Sequence, residues 1–74
     1  MIVKNLNMIK YPELTAKPTE TITKVRYNDD GTPALIEQFG YEMHVYFHEG
    51  VHSIAPGQAA VFYEGNDVIG GGWI

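Results

Sequence analysis

The chain predicts an all-β fold, a small antiparallel barrel of about six strands, closed or partly open. Three observations carry this. Apolar residues recur with period two in short runs, clusters of Gly, Pro, Asn and Asp separate the runs at roughly even spacing, and no amphipathic stretch exceeds about one helical turn. Closure is the better solution because strands this few and short would otherwise leave unpaired edges.

The elements follow in order. Ile2 to Ile9 mixes β-branched and polar residues and reads as a strand. Lys10 to Thr19 is a loop, because Pro12 and Pro18 remove ladder donors and bias the residues before them. Glu20 to Tyr27 has the highest β propensity. Its alternation sets Thr21, Thr23, Val25 and Tyr27 on one face and Ile22, Lys24 and Arg26 on the other. Asn28-Asp29-Asp30-Gly31 is a turn, and Pro33 to Phe39 returns as a strand with an edge near Pro33. Gly40 breaks it. Tyr41 to Phe47 then alternates Tyr41, Met43, Val45 and Phe47 against Glu42, His44 and Tyr46, and Glu49-Gly50 ends the strand.

Val51 to Ala55 is a short apolar connector. Ala55-Pro56-Gly57-Gln58 has the chemistry of a type II turn, with proline at the first central position and glycine supplying positive φ at the second. Gln58 to Tyr63 is apolar at successive positions, the pattern of a strand buried on both faces. A two-residue hairpin around Gly65-Asn66 leads into a last strand, Asp67 to Ile74, that contains Gly70, Gly71 and Gly72.

Composition bounds the function. Seventy-four residues make a single domain, residues 1–74, with a small core. The absence of cysteine removes any disulfide framework and any cysteine-based zinc site. A net charge of -4 argues against a free-standing nucleic-acid binder without excluding a local basic face. No apolar run approaches the ~20 residues that span a bilayer, and Met1-Ile2-Val3-Lys4 has no secretory pattern, so no membrane partner and a cytoplasmic location are expected.

Candidate chemistry is sparse. His44, His48 and His52 recur every four residues. In a strand the first two would stand about 13 Å apart, too far to share one metal ion, so no metal site is expected. Gly70-Gly71-Gly72 lacks the following helix N-terminus that a phosphate-cradling loop needs, and reads as a bulge or a close approach of two backbones. Ser53 beside His52 is not a triad, and the nine carboxylates are scattered through turns and solvent faces. No catalytic residue is therefore expected in this chain. Lys24 and Arg26, two of five basic residues, leave one strand in the same direction with Tyr27 adjacent. They form either a short stripe for a phosphate backbone or an ordinary solvated face.

Three segments together resemble the C-terminal domain of bacterial tRNA-specific 2-thiouridylases. The most specific is Ala55-Pro56-Gly57-Gln58-Ala59-Ala60-Val61-Phe62-Tyr63 followed by Gly70-Gly71-Gly72, which is similar to the family's closing motif. Lys24-Val25-Arg26-Tyr27 is similar to its basic strand, and Val3 to Ile9 to its opening strand, with Asn7 at the family's asparagine. The sequence departs from the pattern at Met8 and Asn28. The resemblance implies a barrel like those of translation factors, attached as the C-terminal domain to a larger enzyme that thiolates the wobble uridine. It implies that ATP and two catalytic cysteines act in that enzyme's other domains, with no cofactor held in this chain. The implied role is accessory, with Lys24, Arg26 and Tyr27 contacting tRNA and with Pro56, Gly57, Gln58 and the glycine triplet as structural motif. Expected partners are tRNA, the enzyme's own catalytic domain and a sulfur-relay protein. The alternative is a module that docks on one of those proteins without touching RNA.

Overall fold

A computed structural model describes residues 1–15, 18–25, 30–50 and 56–74. Its six strands are β1 (Ile2–Met8), β2 (Thr19–Lys24), β3 (Thr32–Phe39), β4 (Glu42–Phe47), β5 (Ala59–Glu64) and β6 (Asp67–Trp73). They close into an antiparallel barrel, the expected architecture, in the order β1-β4-β3-β2-β5-β6. β1 is the closing strand, antiparallel to β4 through Ile2↔His44 and Val3↔Met43 and to β6 from Lys4↔Trp73 to Met8↔Gly70. At the start of β1, Val45 N donates to Met1 O at 2.8 Å and Met1 N to Val45 O at 3.0 Å.

Alternation decides what fills the barrel. Val3, Ala34, Ile36, Met43, Val45, Ala60, Phe62 and Ile69 point inward and are buried. β2 contributes Thr21 and Thr23, whose hydroxyls lie 3.1 Å apart, while Thr21 Oγ1 donates to Ala34 O at 3.2 Å. Pairing the hydroxyls inside keeps these buried polar groups from costing their desolvation. Leu14, from the β1–β2 connection, also enters the core. Its N–H donates to Gln38 Oε1 at 2.8 Å, and Gln38 Nε2 donates to Gly40 O at 3.0 Å, which fixes the loop beside the β3–β4 turn.

Tight turns set the hairpin registers. Gly40 (φ 63) and Gly65 (φ 60) each stand first in a two-residue turn between paired ends, Phe39↔Glu42 and Glu64↔Asp67. Glycine reaches positive φ there without a Cβ clash. Two irregularities tighten the closure. β1 runs one residue longer than β6 between Lys4 and Asn7, where Asn5 adopts φ 53. β6 carries Ile69 as an extra residue opposite the Phe62–Tyr63 step of β5. Ile9 N and Lys10 N both donate to the Ile69 carbonyl, at 2.8 and 3.1 Å. Such bulges bend a strand, which a barrel of so few strands requires.

Four expectations change. β3 is no edge: it pairs with β2 and β4, and Pro33 stands at its second residue, beyond the last β4 pair at Ala34↔Phe47. Tyr41 belongs to the turn and is 91% exposed, so it does not share the inner face of Met43 and Val45. β2 starts at Thr19 and its ladder ends at Lys24. β5 is buried on one face only: Ala60 and Phe62 point inward, while Ala59 is exposed and Val61 and Tyr63 are half-buried outside. A closed barrel has one interior, so the second apolar face of this strand lies on its surface.

Candidate functional site

β2 pairs with β3 on one side and β5 on the other, and its outward residues are Glu20, Ile22 and Lys24, Glu20 being engaged by His48. Lys24 lies opposite Val61, and Ile22 opposite Tyr63, so Lys24 and Tyr63 are diagonal neighbours on the outer surface. The Lys24 ammonium sits 4.9 Å from the centre of the Tyr63 ring. That contact orients the cation without neutralising it, at about 0.5–1 kcal/mol for an exposed pair. Arg26 and Tyr27, the other members of the basic stripe, lie outside the described residues.

The other described lysines are compensated. Lys4 Nζ is 3.8 Å from Glu42 Oε2. Lys10 Nζ donates to Glu64 Oε1 at 2.7 Å and to Asp67 Oδ2 at 2.8 Å, and Tyr11 OH donates to the same Glu64 oxygen at 2.8 Å. Hydrogen bonds to Asp67 first and Glu64 second hold the Lys10 ammonium well above its ordinary pKa. The bonds from Lys10 and then Tyr11 hold the Glu64 carboxyl below its own, and the bond to Glu64 raises the Tyr11 phenol. This cluster is a charge clamp across the β5–β6 turn. Among the described residues, no carboxylate pairs with Lys24.

No local pattern announces the clamp, since Lys10 is 54 and 57 residues from its two partners. It does bring two of the supposedly scattered carboxylates together.

The histidines separate. His44 Nε2 faces Glu42 Oε1 at 3.5 Å, and its ring packs on Phe39 with centroids 4.7 Å apart. His48 Nε2 bonds the Glu20 carboxylate at 2.8 and 2.9 Å. Among the described residues no three metal-ligating side chains converge. His52 and Ser53 lie outside them, as do Asn28, Asp29 and the connector from Val51 to Ala55.

The closing motif is architectural in its geometry. Gly57 (φ 91) stands in the turn after Pro56, its N–H donates to Ile74 O at 2.9 Å, and Ile74 N donates to Gln58 O at 2.9 Å. The turn therefore ties the start of β5 to the end of β6. A Cβ on Gly57 would meet nothing within 4 Å, so a substitution there costs only backbone strain. Gly57→Val is expected to destabilise by about 1 kcal/mol or more. Unchanged thermal melting would count against the turn.

Gly70, Gly71 and Gly72 are held differently. Their Cβ atoms would fall 2.7 Å from Asn7 O, 2.5 Å from Ala60 O and 2.4 Å from Lys4 O. The space a phosphate cradle would need is taken by backbone carbonyls, which are acceptors and repel an anion. Glycine here lets β6 press against β1 and β5.

The outer surface divides into two halves. β3 and β4 carry Glu37, Glu42 and His44 outward, while Ala59–Tyr63 of β5 and Val68–Trp73 of β6 carry no charge at all. No helix among the described residues is long and apolar enough to cross a membrane.

The fold is thus a small closed antiparallel barrel whose last strand is rich in glycine. The chain belongs to the aminomethyltransferase β-barrel domain family, whose model matches residues 1–74. It is 65% identical over 74 residues to the tRNA-specific 2-thiouridylase MnmA of Amoebophilus asiaticus, covering all of this chain and 20% of that protein. It is 68% identical over 74 residues to the tRNA-specific 2-thiouridylase MnmA of Cytophaga hutchinsonii, again covering 100% of this chain and 20% of the relative. The MnmA of Salinibacter ruber is 46% identical over 70 residues, 93% of this chain and 18% of that protein. The chain thus spans about a fifth of the length of these relatives.

Proposed function

We propose that this barrel is the accessory, tRNA-contacting domain of an enzyme that 2-thiolates the wobble uridine of tRNA, and that it performs no chemistry itself. The observation that carries the reading is Lys24: it points outward from β2, it rests on the Tyr63 ring, and no described carboxylate neutralises it. In sequence, Arg26 and Tyr27 follow on the same strand motif. A phosphate backbone takes such contacts as sequence-independent positioning, and duplex RNA is held mainly by shape and by its phosphates and 2′-hydroxyls. ATP and sulfur transfer belong, in this reading, to other domains of the enzyme, which meets tRNA in the cytoplasm and receives sulfur from a relay protein.

The competing reading, a module that docks without touching RNA, has the net charge of -4 in its favour. The two separate in one experiment on the intact enzyme. Lys24→Ala and Arg26→Ala are each expected to weaken tRNA binding similarly for all substrates, and to lower the slope of log K against log salt by about 1 per lost phosphate contact. A double substitution that leaves affinity and salt dependence unchanged while the barrel stays folded rules out the RNA reading.

A further inference from the structure

We infer that the outer surface formed by Ala59–Tyr63 of β5 and Val68–Trp73 of β6, which carries no charge, is an intramolecular docking surface, filled by an apolar segment from another domain of the same enzyme. The inference rests on the reading of this chain as one domain of a larger protein. It does not depend on RNA contact through Lys24.

The strand pattern is the first ground. Ala59, Val61 and Tyr63 are apolar at the outward positions of β5, a sequence fit for a strand covered on both sides, yet the barrel covers only the inner one. The second is shape. β1, β5 and β6 enclose an open groove of about 280 Å3 whose floor is the bare backbone of Gly70, Gly71 and Gly72. Its walls include Val61, Val68, Ile9 and Trp73, and the last two are 62% and 53% exposed. A contiguous apolar surface of this kind marks an interaction site, while isolated apolar residues do not.

The third ground is charge, which selects the occupant. No residue of Ala59–Tyr63 or Val68–Trp73 is ionised. The nearby Lys4 is engaged by Glu42, and Lys24 stands at the β2 border of the face. A phosphate backbone would find no cation in the groove to replace its counterions. A largely apolar polypeptide segment suits it, provided that the segment supplies hydrogen-bond partners to Asn5 and Asn7, which also line it. The fourth is length: the relatives carry about four-fifths of their residues outside this domain, so a neighbouring domain of the same chain is at hand at high effective concentration. Interfaces between domains of one chain are more polar than obligate interfaces, as a groove that mixes apolar and amide side chains would make this one.

The test uses the full-length enzyme with Val61 replaced by the photo-cross-linker p-benzoylphenylalanine, irradiated with and without tRNA. Ala59, which is also outward and exposed, serves as a second position should the first variant fold poorly. Cross-links should join the barrel to peptides of the same polypeptide outside it, at equal yield with and without tRNA. The yield should be at least about fivefold that from the same probe at Tyr46 on the outer face of β4. Cross-links to tRNA, cross-links to a second copy, or a yield equal to that at Tyr46 would overturn the inference. tRNA affinity, measured on the same samples, keeps the result distinct from the Lys24 reading: the groove can be intramolecular whether or not the barrel binds RNA.

Discussion

Gly72→Ala is expected to destabilise the barrel by about 3 kcal/mol, the upper range for forcing atoms into packed space. One added methyl group would lie 2.4 Å from Lys4 O and 2.8 Å from Val3 Cγ1, with Leu6 Cδ2 at 3.2 Å. A backbone carbonyl cannot swing aside as a flexible side chain can, so β6 would have to separate from β1, and these are the strands that close the barrel. A domain of this size has a total stability of about 4–11 kcal/mol, so much of it would be lost. The control is Gly50→Ala, where a Cβ meets nothing within 4 Å, and which should leave melting unchanged. Equal melting of wild type and Gly72→Ala would disprove the close approach of β6 to β1.

Phe62→Ala should cost about 3–5 kcal/mol. Phe62 is the largest of the fully buried side chains, and it pairs across β5 and β6 with Gly70 and across β2 and β5 with Thr23. Removing its ring opens a cavity where three strands meet, and the backbone contacts of the glycine strand prevent collapse around it. With about 4–8 °C per kcal/mol for a domain of this length, the midpoint of thermal unfolding should fall by at least about 12 °C. Phe62→Leu, which retains most of the volume, should fall much less. A smaller loss for alanine than for leucine would be incompatible with this core.

Much of the architecture is written locally, and the exceptions have physical causes. Alternation alone puts Thr21 with Thr23 and Met43 with Val45 on common faces, and these are the faces that line the interior, because one solvent and one core face impose period two. Tyr41 continues the same alternation by coincidence, since the turn that begins at Gly40 removes it from the strand. β5 reads as doubly buried because the pattern records every surface that excludes water, whether or not the second layer belongs to these residues. Leu14 is the one large aliphatic residue in a proline-marked loop, with no periodicity to place it, and the bond from its N–H to the Gln38 side chain is what fixes it there. The Lys10–Glu64–Asp67 clamp depends on the spatial neighbourhood of the β5–β6 turn and the end of β1, which no window of sequence spans. Of the basic stripe, the direction of Lys24 was legible from alternation, but its tyrosine support was not, because Tyr63 becomes its neighbour only through the β2–β5 register.

Barrel closure also has a consequence in time. Of the six strands β1 is made first, but its long ladder is to β6, the last of them, with Lys4 opposite Trp73. Within the barrel, the opening strand must therefore wait, with one flank unpaired, until β6 has been made. Non-local strand pairing of this sort belongs to the slow end of two-state folding, in the range of milliseconds to seconds. The barrel should thus form only after its last strand is free to move, and any truncation that removes β6 should leave the first strand exposed as an edge for another chain to join.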